Sequence, residues 1–173
     1  MDPFDLLGLQ RRFDIDLAVV EKTHRELSRA LHPDKYSQAG ASERRAALEK
    51  AASVNEAWRT VRDPIKRAEA LFAAAGIAVG ENHEPKATPA FLMEVLEERE
   101  ALSEARAAKD LTKVRAIGAA MSARKQAIEK KLAAGFAAAS DVSTITKLVP
   151  LLGELRFYKR FLDEVSAIEE ENE

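Results

Sequence analysis

The chain contains no cysteine. This excludes disulfides, thiol nucleophiles and cysteine-ligated zinc or iron–sulfur clusters on the chain itself. Glycine and proline are scarce, at 7 and 6 of 173 residues, while alanine is abundant. Helix should therefore dominate, and no stretch carries a strand signal. There is no excess of charge of one sign: 27 basic and 29 acidic residues give a net charge of −2. That argues against broad nucleic-acid binding, which needs a basic excess to displace counterions. No apolar run approaches the ~18 residues of a membrane span. The opening Met1-Asp2-Pro3-Phe4-Asp5 lacks the basic start and apolar core of a signal peptide. These absences set the expectation of a soluble cytoplasmic protein that contacts neither nucleic acid nor membrane.

Catalytic features are equally thin. The three histidines, His24, His32 and His83, have no metal-ligand spacing, so no metal and no cofactor is expected. His32 and Asp34 could form a general-base pair in a small hydrolase. No serine or cysteine nucleophile accompanies them, and no glycine-rich loop precedes a strand. The expectation is that the protein is not an enzyme.

What the chain does contain is 46% hydrophobic and 32% charged residues, enough for a real core in one or two domains. Its most informative stretch is Leu31-His32-Pro33-Asp34-Lys35-Tyr36. Pro33 fixes its own φ and pushes His32 out of the α region, so a preceding helix must end there. His32, Asp34 and Lys35 are thereby placed at the tip of a helix–loop–helix. Polar side chains held out on such a loop suit a contact site better than packing.

Around this turn the helices follow from caps and apolar spacing. Asp2-Pro3 opens a short helix over about 3–8, stopped by Gly8. Asp16 caps a second, in which Leu17, Val20, His24, Leu27 and Leu31 form one stripe and Lys22, Arg25 and Arg29 another face. That basic face is either solvated surface or a docking face for an acidic partner. Ala47, Ala51, Val54, Trp58 and Val61 mark a return helix over about 42–62, paired with the second as an antiparallel hairpin, with Trp58 in the core. Asp63-Pro64 opens a short helix closed by Gly76. Residues 76–88 hold two glycines, a proline and no period, so a linker is expected there. The domains expected are therefore 1–75 and 89–173.

In the second half, Thr88-Pro89 opens a helix to about 108, and Asp110 opens one bearing Val114, Ile117, Met121, Ile128, Leu132 and Phe136. After a break at Ser140-Asp141 comes a helical region with Leu148, Leu151, Leu155, Tyr158, Leu162 and Val165 on one face. Pro150 and Gly153 should kink or split that region near its start, and the acidic tail from Glu169 to Glu173 should fray. Three long helices with short turns predict an antiparallel three-helix bundle.

Two of these helices have apolar residues that one buried stripe does not use. In the first, Phe91, Val95 and Leu102 cluster on one face. Leu92, Leu96 and Met93 lie about 100° to 200° round from Phe91, among Arg99 and Glu100. In the last, Phe157, Phe161 and Ile168 lie roughly opposite Leu155 and Leu162. A second stripe needs a partner, either within the chain or on another protein.

Residues 1–75 resemble a J domain, on the strength of His32-Pro33-Asp34-Lys35 between two helices, Val54-Asn55-Glu56-Ala57-Trp58, and Asp63-Pro64-Ile65-Lys66-Arg67-Ala68. The remainder resembles the HscB co-chaperone family, through Phe91-Leu92-Met93-Glu94-Val95-Leu96-Glu97-Glu98-Arg99-Glu100, then Ala108-Lys109-Asp110, then Leu155-Arg156-Phe157. The opening Met1-Asp2-Pro3-Phe4-Asp5-Leu6-Leu7-Gly8-Leu9 also fits. The resemblance implies an all-α, L-shaped co-chaperone of iron–sulfur cluster assembly. It would stimulate the ATPase of a DnaK-class chaperone, HscA, and deliver the cluster scaffold protein IscU to it. The chaperone-binding role maps onto His32, Pro33 and Asp34, with Lys22, Arg25, Arg29 and Lys35 as flanking charges. The scaffold-binding role maps onto Leu92, Met93, Leu96, Glu97, Arg99, Glu100 and Phe157. The alternative is a general J-domain co-chaperone delivering unfolded clients. Several residues depart from the family pattern: His24 stands where an aromatic is usual, Glu98 lies close to a buried face, and Pro150 and Gly153 interrupt the last helix upstream of Phe157.

Overall fold

A computed structural model of the chain describes residues 2–80 and 87–172. His83, Pro85 and the centre of the expected 76–88 linker lie outside the described residues. The described residues are helical, with no strand, and divide into two compact units, Met1–Ile77 and Ala78–Glu173.

In the first unit, α1 (Pro3–Leu6), α2 (Leu17–Ala30) and α4 (Pro64–Ala74) pack on α3 (Ala41–Arg62). The caps that mark these helices in the sequence are formed. Asp2 Oδ1 accepts from the Phe4 N–H at 2.8 Å, Asp16 Oδ1 from Ala18 at 2.9 Å, and Asp63 Oδ1 from Ile65 at 2.8 Å. Each satisfies a helix-end donor that would otherwise lack a partner. Gly8, at φ +64°, provides the left-handed turn that ends α1. Phe4, Val20, Val54, Val61, Ala68 and Phe72 are all but inaccessible to solvent and form the core.

Three expectations need correction here. Leu17 is exposed, because as the first residue of α2 it precedes the point where the helix meets α3; the buried stripe begins at Val20. Trp58 is only half-buried. Its ring is stacked on His24, with centroids 5.3 Å apart and planes 13° apart, and Arg62 lies 5.8 Å over it. The His24 imidazole thus supplies a flat ring where an aromatic is usual, and its Nε2 pairs with Asn55 Oδ1 at 2.9 Å. Phe13 and Arg67 belong to the core although no periodicity marked them. The Arg67 guanidinium lies 4.7 Å over the Phe13 ring and donates to the Val61 carbonyl at 3.0 Å.

In the second unit, α5 (Pro89–Ala107) packs on α6 (Leu111–Ala138), α6 packs along α8 (Val149–Glu170), and the short α7 (Val142–Thr146) joins them. The last helical region is split near its start, as expected, between α7 and α8, and Pro150 lies just past that break. It sits in the first turn of α8, where its missing N–H costs nothing, and Gly153 continues the helix. The tail is also better held than expected. Helix α8 continues to Glu170, Glu169 pairs with Arg115 at 3.0 Å, and Glu171 pairs with Arg106 at 2.8 Å.

The supposed spare stripe of α8 is not spare. Leu155, Phe157, Phe161, Val165 and Ile168 are all buried, because α8 packs on α6 and also takes aromatic and ionic contacts from α5. Close approach on the α6 side depends on Gly118. A Cβ there would lie 2.9 Å from Val165 Cγ1, a short branched side chain with little freedom. Gly118→Ala is expected to lower stability by about 1–3 kcal/mol through overpacking. Gly135→Ala, which meets only the flexible end of Leu148, is expected to cost less. Parallel urea melts would check both.

Candidate functional site

Among the described residues, each unit presents an exposed feature that its own core does not use. In the first unit it is the turn after α2. His32 is extended, at φ −62° and ψ 134°, as the following proline requires, and Pro33–Tyr36 form a single 3-10 turn. The Asp34 N–H donates to His32 Nδ1 at 3.4 Å, and the Lys35 N–H donates to the His32 carbonyl at 3.0 Å. Asp34 Oδ2 lies 3.4 Å from the same imidazole nitrogen. The turn is therefore internally braced, yet His32, Pro33, Asp34 and Lys35 are all exposed and none is buried in the core. Lys22, Arg25 and Arg29 lie exposed along α2, one to two turns apart, with Arg25 3.7 Å from Glu21. A rigid polar tip at the end of a basic helix face can meet an acidic surface without reorganising.

In the second unit it is a patch on α5. Leu92, Met93 and Leu96 are 50%, 59% and 61% exposed, and Glu97, Arg99 and Glu100 border them. Arg99 is drawn toward α8 by Glu164, 3.7 Å away. Phe157 is not part of this surface. It is 8% exposed and lies beneath α5, meeting Phe91 edge-on with centroids 5.5 Å apart. Tyr158 and Phe161 complete the aromatic layer at 5.4 and 5.8 Å from Phe157. The sequence grouped Phe157 with the exposed residues because helical spacing gives an angle around α8, not which neighbour covers that angle.

The spacing also left Glu94, Glu98 and Arg124 unassigned. Arg124 of α6 reaches both carboxylates of α5, Glu94 Oε1 at 2.6 Å and Glu98 Oε1 at 3.0 Å. This explains how Glu98 is tolerated near a buried face. Burial, with the charges of Glu94 and Glu154, pushes the Tyr158 hydroxyl up to about 12. Burial likewise raises Glu154, against the pull of Lys131. The signal for this cluster was two carboxylates one turn apart on the inner side of a helix.

Among the described residues no group of three or more histidines or carboxylates is placed to hold a metal ion, and no helix is long and apolar enough to cross a membrane. What the two features can do is bind. Each of the three apolar side chains could contribute up to about 1.5–3 kcal/mol if buried against a partner.

Residues 87–166 match the family model of the HSCB C-terminal oligomerisation domain. The chain is 32% identical over 164 residues to the co-chaperone protein HscB homologue of Burkholderia multivorans, spanning 95% of this chain and 91% of that protein. It is 43% identical over 105 residues to the homologue of Bordetella petrii, spanning 61% and 62% of the two chains. The structure superposes on chaperone HscB from Vibrio cholerae with a TM-score of 0.86 at 28% identity, covering all of both chains. Human HscB shares the fold, with a TM-score of 0.86 at 22% identity, over 98% of this chain and 82% of that one. An exposed His-Pro-Asp turn and an apolar patch on a separate helical bundle are thus carried on a chain that agrees along nearly its full length in sequence with the Burkholderia multivorans homologue and in fold with the Vibrio cholerae protein, and the chain belongs to the HscB family of co-chaperones.

Proposed function

We propose that the protein is a two-ended adaptor of iron–sulfur cluster assembly in the cytoplasm. The first unit acts as a J domain: His32, Pro33 and Asp34, flanked by Lys22, Arg25, Arg29 and Lys35, engage a DnaK-class chaperone, HscA, and stimulate its ATPase. The second unit carries the cluster scaffold IscU on Leu92, Met93 and Leu96, with Glu97, Arg99 and Glu100 as the charged rim. Phe157 supports that surface from below rather than touching the partner. The adaptor itself makes no covalent bond.

The observation that carries this reading is the patch. Three large apolar side chains on one face of α5 stand at least half exposed while the bundle beneath them is fully packed. Such a surface costs solubility unless a partner covers it. Three side chains with a charged rim suit micromolar, reversible association once the costs of binding are met. Holding scaffold and chaperone on one chain makes their meeting intramolecular, at an effective concentration of about millimolar.

Single-turnover ATP hydrolysis by HscA tests the reading directly. The protein and IscU added together are expected to stimulate more than the sum of each alone. Stimulation indifferent to IscU but raised by unfolded polypeptides would instead identify a general J-domain co-chaperone. No stimulation by the protein would overturn both.

A further inference from the structure

Helix α5 is apolar on two sides. Phe91, Val95 and Leu102 lie toward the bundle, and Leu92, Met93 and Leu96 lie away from it, so the helix has almost no amphipathic preference of its own. Its fully buried residues, Leu102 and Ala105, both belong to its C-terminal half. Their burial sets the rotation of this continuous helix, and in its N-terminal half Phe91, edge-on to Phe157 and Tyr158, continues the inward face. The charges add a second hold on that half. At 100° per residue, the midpoint of Glu94 and Glu98 falls about 170° from the centre of the exposed trio and beside the inner stripe. Arg124 holds both carboxylates at once, Nη1 on Glu94 and Nη2 on Glu98, at 2.6 and 3.0 Å. The planar guanidinium is matched to two acceptors in this way, whereas a lysine could serve as a point charge only. All three side chains are partly shielded, at 38%, 42% and 23% exposure, so the pairing is less screened than an open surface bridge.

We propose that Arg124 is a positioning residue for partner docking: by gripping Glu94 and Glu98 it pins the N-terminal half of α5 to α6 and so holds Leu92, Met93 and Leu96 ordered on one outer face. This rests on the reading that the trio binds the scaffold. Arg124 itself does not touch the partner. Without it, the half-buried Phe91 and Val95 are left to hold the first turns of α5, and part of the population frays there and loses the ordered patch.

The test combines binding and local order. Because the chain has no cysteine, Ala90→Cys gives a single nitroxide site on α5. Arg124→Gln in the full-length protein is expected to weaken IscU binding by calorimetry about three- to tenfold, and to add a second component to the nitroxide spectrum. Reversing the charges, Arg124→Glu with Glu94→Lys and Glu98→Lys, is expected to recover both. Wild-type affinity and a single spectral component in Arg124→Gln would overturn the inference, as would a loss that charge reversal does not mend. Leu92→Ala with Leu96→Ala serves as the parallel control. If that variant is weakened while Arg124→Gln is not, the positioning role fails and the patch stands. If it binds like wild type, the patch reading fails and the inference fails with it.

Discussion

His32→Gln is expected to abolish stimulation of the HscA ATPase while leaving the fold intact. The side chain is exposed, and among the described residues its short contacts are within the turn, to the Asp34 N–H and carboxylate. Nothing in the core depends on it, so stability should change by no more than about 0.5 kcal/mol. Pro33 and the Lys35-to-His32 backbone hydrogen bond still shape the loop. What is lost is the imidazole, with one ring nitrogen turned toward Asp34 and the rest of the ring open to a partner. An acyclic amide cannot reproduce that shape. Single-turnover hydrolysis, with and without the variant, measures the effect, and a thermal melt separates it from unfolding. Stimulation at the wild-type rate would show that the turn is not the contact.

Leu92→Ala combined with Leu96→Ala is expected to weaken IscU binding about 100-fold, since burial of two leucines contributes roughly 1.5–3 kcal/mol each and the truncation removes most of it. The double variant should melt near the wild-type temperature, because both side chains are at least half exposed in the free protein. Basal stimulation of HscA without scaffold should persist, since neither residue belongs to the first unit. Phe157 provides the contrast. At 8% exposure, beneath Phe91, its truncation should act on folding, by about 3–5 kcal/mol. A loss of binding in Phe157→Ala would therefore be read only beside its melting curve. Unchanged calorimetric affinity in the leucine double variant would remove the patch from the scaffold contact.

Much of this architecture was legible along the chain because it depends on local chemistry. Asp2, Asp16, Asp63, Thr88 and Asp110 each cap a helix, and each was recognisable as a short polar side chain ahead of an apolar repeat, whereas Asp141, read only as a break, caps α7. Pro33 fixed the His32 backbone through sterics between adjacent residues. Pro150 lies just past the split between α7 and α8, whereas Gly153 was misread, since it continues α8. A proline breaks a helix interior but suits a first turn, and the two cases differ only by where the helix begins. Lys147 and Leu148 set that start, and neither is a strong signal.

The candidate site divides the same way. That α5 carries two apolar stripes, and that His32, Pro33 and Asp34 stand on a stiff polar turn, was determined by the order of residues alone. Which stripe faces water was not, because helical periodicity fixes angles between side chains and leaves the rotation of the helix free. Contacts distant in sequence decided it: Arg124 with Glu94 and Glu98, and Phe91 with Phe157 and Tyr158. Packing of α8 on α6, with Phe91 of α5 over Phe157, took Phe157 out of the surface, while Leu92, Met93 and Leu96 stand exposed on the outer face of α5.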